Sequence, residues 1–162
     1  MQSTKKNVRV MGIDPGSRKT GYAIIEKQAN KLVPITIGVI SPRPTLAFES
    51  RLKEIYFELC ELIQRFKPTA VSLESLYAHK SALSAIKLGQ ARGIALLAAA
   101  IADVPVFDYP PAAIKKSLTG YGNAPKIQMQ EMAKRILGLK SLPPPDAADA
   151  VAIALCHIHY GR

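Results

Sequence analysis

The sequence predicts an α/β protein built on a mixed five-stranded sheet. Three short apolar runs, Val8–Asp14, Thr20–Lys27 and Leu32–Ser41, are joined by polar turns, the pattern of an antiparallel meander. Beyond them, two further strand-like runs alternate with segments of helical periodicity, which calls for parallel strands with helical crossovers. The chain has 162 residues, 48% of them apolar, enough for one domain with a substantial core.

Each element has its own signal. Residues 1–7 read as a flexible basic tail ahead of the first strand. The first two strands form a hairpin around Pro15-Gly16-Ser17, with glycines bracketing the turn. Pro42-Arg43-Pro44 ends the meander. Leu46 to Phe66 is helical, because Leu52, Ile55, Tyr56, Leu59, Ile63 and Phe66 recur every three or four residues, and Lys67-Pro68 stops it. Ala70 to Glu74 is a short buried strand. Ser81 to Ala102 is a long helix with Ala85, Gly89, Gly93 and Leu97 on one ridge. Its two interior glycines cost about 1 kcal/mol each relative to alanine, so something must approach that ridge closely. The residues leave open whether the neighbour lies in the same chain or in a second copy. Val104 to Asp108 is the fifth strand, and Pro110-Pro111 opens a short helix over Ala112 to Leu118. Asn123 is expected to cap a helix over Pro125 to Leu137, with Ile127, Met132 and Ile136 inward and Gly138 at its end. Pro143-Pro144-Pro145 leads into the last helix, Asp146 to Tyr160, apolar nearly all round and therefore buried.

Charge narrows the function. Lys and Arg number 22 against 12 acids, a formal excess of +10 that points to a polyanionic partner, most simply nucleic acid. No apolar run reads as long enough to span a bilayer and no cleavable leader opens the chain, so a cytoplasmic location without membrane contact is expected. Cys60 and Cys156 lie far apart without C-x-x-C spacing and read as buried free thiols. Cys156, His157 and His159 are adjacent on a helix and point in different directions, which argues against zinc.

Four acids stand in apolar company: Asp14, Glu74, Asp146 and Asp149. Singly, each has an ordinary reading. Asp14 suits an Asx-turn, Glu74 the first exposed position after a strand, and Asp146 an N-cap with Asp149 completing a capping pair. Jointly they read differently. Asp14 and Glu74 both end strands, and Asp146 and Asp149 share a helix face at i, i+3. If that helix packs its first turn on the strand ends, four carboxylates converge and repel one another, raising their pKa values. Hard divalent cations such as Mg²⁺ relieve that repulsion. Two such ions roughly 3.5–4 Å apart would activate a water and stabilise the leaving oxygen of a phosphodiester. A basic exterior with an acidic pocket is what a metal-dependent nuclease needs.

Three motifs carry a family resemblance. Gly12-Ile13-Asp14-Pro15-Gly16-Ser17-Arg18-Lys19-Thr20-Gly21-Tyr22, Leu88-Gly89-Gln90-Ala91-Arg92-Gly93 and Pro145-Asp146-Ala147-Ala148-Asp149-Ala150 closely resemble, in order, the motifs of the RuvC Holliday-junction resolvases. The resemblance runs over roughly residues 8 to 160. It implies an RNase H-like fold, a homodimer joined through the helix carrying Gly89 and Gly93, and Mg²⁺-dependent (Mn²⁺ also admissible) nicking of two strands of four-way junction DNA, leaving 5′-phosphates. It implies two metal ions per site held by Asp14, Glu74, Asp146 and Asp149, cooperation with the RuvA–RuvB branch-migration complex, and a preference for short thymine-containing sites. One departure stands out: Ser75 and Tyr77 occupy positions where the family often has a bulky polar residue and a phenylalanine. Tyr77 could still stack on or wedge apart bases at the crossover.

Basic residues complete the expected site. Lys126 lies in the first turn of its helix, where a cation opposes the dipole unless a phosphate binds there. By resemblance, Lys115 and Lys126 match positions used for DNA or catalysis. Arg18 and Lys19 sit in the turn beside Asp14 and could flank the scissile phosphate, while Lys116, Lys80, His79 and Arg92 are weaker DNA candidates. Three rival readings fit the residues less well. An ATPase of the actin and sugar-kinase class needs two such domains, a YqgF-like nuclease of RNA maturation shares only the opening motif, and a non-catalytic junction binder would not need all four acids.

Overall fold

The structure, a computed structural model, describes residues 8–76 and 81–161. The expected tail, and Tyr77, His79 and Lys80, lie outside the described residues. In chain order the elements are β1 (Val8–Asp14), β2 (Thr20–Gln28), β3 (Lys31–Ile40), α1 (Phe48–Phe66), β4 (Ala70–Glu74), α2 (Ala82–Ile101), β5 (Val106–Tyr109), α3 (Pro111–Thr119), α4 (Lys126–Leu137) and α5 (Pro145–Tyr160). The sheet runs β3-β2-β1-β4-β5. Its first two pairings, β1 with β2 and β2 with β3, are antiparallel, and β4 lies parallel to both β1 and β5. This is the mixed sheet expected from the meander followed by alternating strands and helices. Pro34 lies in β3, an edge strand, where a missing N–H is tolerated, and a bulge falls beside it opposite Ile24 and Ile25.

Alternation along the strands sorts side chains to two faces. Met11, Ile13, Ile24, Val71 and Leu73 pack against Ile55, Leu59 and Ile63 of α1 and Ala95, Ala98 and Ala99 of α2. Val10, Ala23 and Ile25 face the other way, onto α5 and, beyond it, Ile114 and Leu118 of α3 and Met129, Ala133 and Leu137 of α4. Buried on every side from Ala150 to His157, α5 is the axis of this second layer. Asp14 lies two residues beyond Gly12 and four beyond Val10, so it belongs to the α5 face.

Several local expectations need correction. Asn123 does not cap α4; Pro125 takes the N-cap position and no side chain caps the helix. Ile127 is exposed, because α4 turns Met129, Ala133 and Leu137 inward, with Met132 and Ile136 only flanking that stripe. β5 begins at Val106, not Val104, since the Val104 amide still bonds to the Ala99 carbonyl and closes the end of α2 (3.0 Å). Among the described residues the glycines of α2 have no intramolecular neighbour, as a Cβ at Gly89 or Gly93 would meet nothing within 4 Å. Contrary to expectation, one helix, α2, is long and apolar enough by composition to cross a bilayer. Its buried Ala91, Ala95, Ala98 and Ala99 and its Arg92–Asp108 ion pair tie it instead to the sheet.

A fifth acid in apolar company, Glu26, sits far from the other four. It is the ladder partner of Arg9, whose Nη2 approaches Glu26 Oε2 at 2.6 Å, and Gln28 donates to its other oxygen (2.7 Å). Arg9 also donates to the Phe66 carbonyl, tying α1 to the sheet (2.5 Å). Glu26 thus ends paired inside the fold and is a structural acid.

Candidate active site

The site is assembled where the C-terminal ends of β1 and β4 meet the N-terminal turn of α5. Register fixes the first pair. Ile13 and Leu73 are the last partners of the parallel β1–β4 ladder, and Asp14 and Glu74 are the next residue on each strand. Both point to the α5 face by alternation.

Two glycines let α5 come down onto the hairpin. Gly21 is the ladder partner of Asp14, and a Cβ there would collide with the Asp146 carbonyl. A Cβ at Gly12 would collide with the Ala150 carbonyl and come within 2.6 Å of the Ala154 amide nitrogen. Helix and sheet therefore touch backbone to backbone, and the first turn of α5 lies over the end of β1. Ser72, the partner of Gly12 on β4, donates its hydroxyl to the Ile153 carbonyl (3.1 Å), and Ser117 of α3 donates to the Ala152 carbonyl (3.1 Å). Tyr109, at the end of β5, shares a hydrogen bond with His157 Nδ1 (2.7 Å), and the His157 ring rests on Phe107. Burial lowers the His157 pKa, and the ring braces β5 against α5.

Asp14, Glu74 and Asp149 line one cleft of about 130 Å³ together with Lys115, Lys126 and apolar residues of α3, α4 and α5. Electrostatics record the convergence. The Asp14 pKa is pushed from 3.8 up to about 7, first by burial, then by the charges of Asp149, Asp146 and Glu74, with Lys126 opposing them. The Asp149 pKa is also raised, by burial and by Asp146, while Lys126 and Lys115 pull it down. Asp149, Asp146 and Glu74 are therefore all neighbours of Asp14, with Lys126 opposing them at Asp14 and Lys126 and Lys115 at Asp149. A larger groove of about 640 Å³, lined among others by Cys60, Ile63, Ile101 and Val104, lies at the other end of the sheet, with Lys67 and Asp103 as its charged lining.

The donor set suits a hard cation. Carboxylate oxygens with raised pKa values exchange protons for a divalent ion readily. Among the described residues no three acid, histidine or cysteine side chains close tightly enough to cage an ion alone.

The other expected residues are dispersed. Lys116 is exposed on α3, outside the cleft. Arg18 and Lys19 are exposed on the β1–β2 turn, which Thr20 fixes by exchanging hydrogen bonds with the backbone of Gly16 (2.8 and 3.2 Å). Arg92 is turned away from the cleft into its ion pair with Asp108 (2.5 Å). Sequence reasoning missed Gly12 and Gly21 as packing contacts and Ser72 as a tether; the small and polar residues inside otherwise apolar strands were the available signal.

The family model for crossover junction endodeoxyribonuclease RuvC matches residues 10–157. The chain belongs to the RuvC family. The RuvC of Syntrophotalea carbinolica is 44% identical over 152 residues, covering 94% of either chain. The RuvC of Proteus mirabilis is 47% identical over 154 residues, covering 94% of this chain and 88% of its own. Among solved structures, the T. thermophilus RuvC in complex with Holliday junction substrate superimposes with a TM-score of 0.87 at 38% identity, covering 96% of this chain and 95% of that one. The yeast mitochondrial Holliday junction resolvase shares the fold, with a TM-score of 0.65 at 14% identity. The RNase H-like architecture implied by the sequence motifs is thus the architecture observed, and RuvC proteins are nucleases.

Proposed function

We propose that this RuvC-family chain is a divalent-metal-dependent endonuclease that resolves four-way DNA junctions by paired nicks. The observation that carries the reading is the convergence of Glu74, Asp146 and Asp149 on Asp14, beside a cleft that Asp14, Glu74 and Asp149 line with Lys115 and Lys126, on a chain of formal charge +10. Two Mg²⁺ ions held by the four acids would supply an activated water and neutralise charge on the scissile phosphate. The protein's own groups do the rest. Asp14, neighbour to the other three acids, is the ligand best placed to be shared. Lys126 and Lys115 offset the acids' charge and offer cations to the phosphate as negative charge builds on it. Apolar walls from Ile114, Met129 and Ile153 limit water in the cleft.

Lys126→Met is expected to lower the cutting rate at saturating junction by about 10²-fold, the usual loss on removing one electrostatic stabiliser. Since Lys126 holds the Asp14 pKa down, the same variant should also move the rising limb of the pH–rate profile upward. An unchanged profile would separate Lys126 from the acid cluster.

A homodimer through α2 belongs to the same proposal. Leu83, Ile86, Leu97 and Ile101 are exposed on that helix, and no described residue covers Gly89 or Gly93. Such a seam of small residues between larger apolar ones supports close helix pairing and would set two clefts for two strands. Gly93→Arg should sediment as a monomer and lose paired nicking; a dimer that still nicks in pairs would place the seam elsewhere. Work beside the RuvA–RuvB complex, in the cytoplasm, is part of this proposal.

Substrate choice is tested by competition electrophoresis in EDTA. The chain should hold a labelled four-way junction against a large excess of plain duplex, and equal competition by duplex would remove the junction from the proposal.

A further inference from the structure

The turn behind Asp14 opens onto a second groove of about 430 Å³ on the far side of the hairpin from the acids. It is lined by Arg18, Lys19, Ser41, Pro42, Pro44 and Arg51. Three cations from two separate segments share it, and no acid lines it. Arg18 and Lys19 project from the turn that Thr20 fixes. Arg51 comes from the first turns of α1, its guanidinium 5.8 Å from the centroid of the Phe48 ring. The Nε of Arg51 is buried with no hydrogen-bond partner among the described residues. A donor of that kind costs free energy unless an acceptor meets it.

The neighbouring groove has the opposite character. Ser41 and Pro42 line it too, but its other wall carries Glu58 and Glu61 beside Phe57, with Glu54 paired to Arg43 (3.4 Å). A polyanion crossing the β1–β2 turn is attracted on one side of Pro42 and repelled on the other.

We propose that the Arg18–Lys19–Arg51 groove binds the sugar–phosphate backbone of the junction arm that leaves the acidic cleft over the β1–β2 turn, with Arg51 as a phosphate-binding residue and the Glu54–Glu61 face as the edge of the footprint. The inference rests on the nuclease reading above and adds a part of the DNA path. Guanidinium forks suit phosphate oxygens, and such contacts set register without reading sequence.

Each phosphate contact releases condensed counterions, so its loss is read as a change in salt dependence. Binding of a fluorescent four-way junction is measured between 50 and 300 mM salt (roughly the range in which such slopes are resolved), in an Asp14→Asn background that prevents cutting. Arg51→Gln is expected to weaken binding several-fold at 0.15 M salt, roughly physiological, and to reduce the slope of log K against log salt by about 0.9. Arg51→Lys, which keeps the charge, should retain the slope. In the cutting-competent protein, Arg51→Gln should raise the junction concentration needed for half-maximal cutting while leaving the rate at saturation within about twofold, as expected for lost uniform binding. Parallel salt plots for Arg51→Gln and its parent would overturn the proposal. Equal slopes for Arg51→Lys and Arg51→Gln, both reduced, would overturn it too, by assigning the effect to packing on Phe48. Plain duplex is run beside the junction. A reduced slope on both supports the groove even if junction preference is absent, so the groove and the junction reading fail separately.

Discussion

Asp14→Asn is expected to hold a four-way junction as tightly as the parent and to cut it more slowly by on the order of 10³-fold, the scale of losing a metal ligand at the reacting phosphate. The substitution keeps the size of the side chain and removes the charge that three other acids crowd. It should therefore stabilise the fold. In the folded chain the Asp14 pKa is about 7, against 3.8 for an unperturbed aspartate. Between those values the folded state binds more protons than the unfolded state, so in EDTA the stability falls as pH rises from about 4 to about 7. The full shift corresponds to about 4 kcal/mol, and relaxation of a half-buried group leaves an expected gain for Asp14→Asn of about 1–2 kcal/mol at pH 8. Urea unfolding in EDTA checks this: the parent should lose stability across that window and the variant should not. Added Mg²⁺ should reverse the order, since only the parent binds it strongly. For the same reason cutting by the parent should rise with pH through about 7, as the proton on Asp14 gives way to the cation. A variant that cuts normally, or one less stable than the parent at pH 8 in EDTA, would contradict this role for Asp14.

Gly21→Ala carries the second large effect. One methyl group must fit where the Asp146 carbonyl already lies, and both sides are backbone, so neither yields by a change of rotamer. The start of α5 must lift from the hairpin. Overpacking of this kind costs about 3 kcal/mol, and a shift of about 1 Å in a catalytic group costs about 10²-fold in rate. Urea unfolding and junction cutting should both report the loss. Asp14 should also titrate nearer to its ordinary value as Asp146 and Asp149 recede. Gly38→Ala is the control: the nearest atoms its Cβ would meet belong to the Tyr22 side chain, with Oη at 2.6 Å, and Tyr22 packs on the sheet face opposite α5. It should cost stability without comparable loss of cutting. Equal cutting by Gly21→Ala and the parent would show that close packing at Gly21 does not set the acid geometry.

The parts legible in the sequence were those with local signals. Three apolar runs with short turns gave the meander, and lone acids at strand ends gave Asp14 and Glu74. The i, i+3 pair Asp146 and Asp149 lay on a helix whose burial could be read from its composition. Glu26 shows the limit of such reading. It too follows an apolar run, Ile24-Ile25, and only the register that sets it opposite Arg9 makes it structural. Gly12 and Gly21 resemble turn glycines until a helix from more than a hundred residues later is laid over them. Ile127 and Asn123 failed for local reasons: Pro125 sets where α4 begins, and the helix phase follows its packing on α5. The length of α2 and its small-residue ridge were legible, but not what the ridge faces, since alanines serve the core and a seam equally well.

The acids gathered around Asp14 should cut junction DNA with the help of divalent metal. Nicking of a synthetic four-way junction, with the cut positions mapped on all four strands, tests this most directly. With Mg²⁺ the chain should introduce two nicks at symmetric positions on opposing strands, with 5′-phosphate and 3′-hydroxyl ends that DNA ligase reseals, and in EDTA it should introduce none. Nicks that persist in EDTA, or plain duplex cut as fast as the junction, would contradict the account.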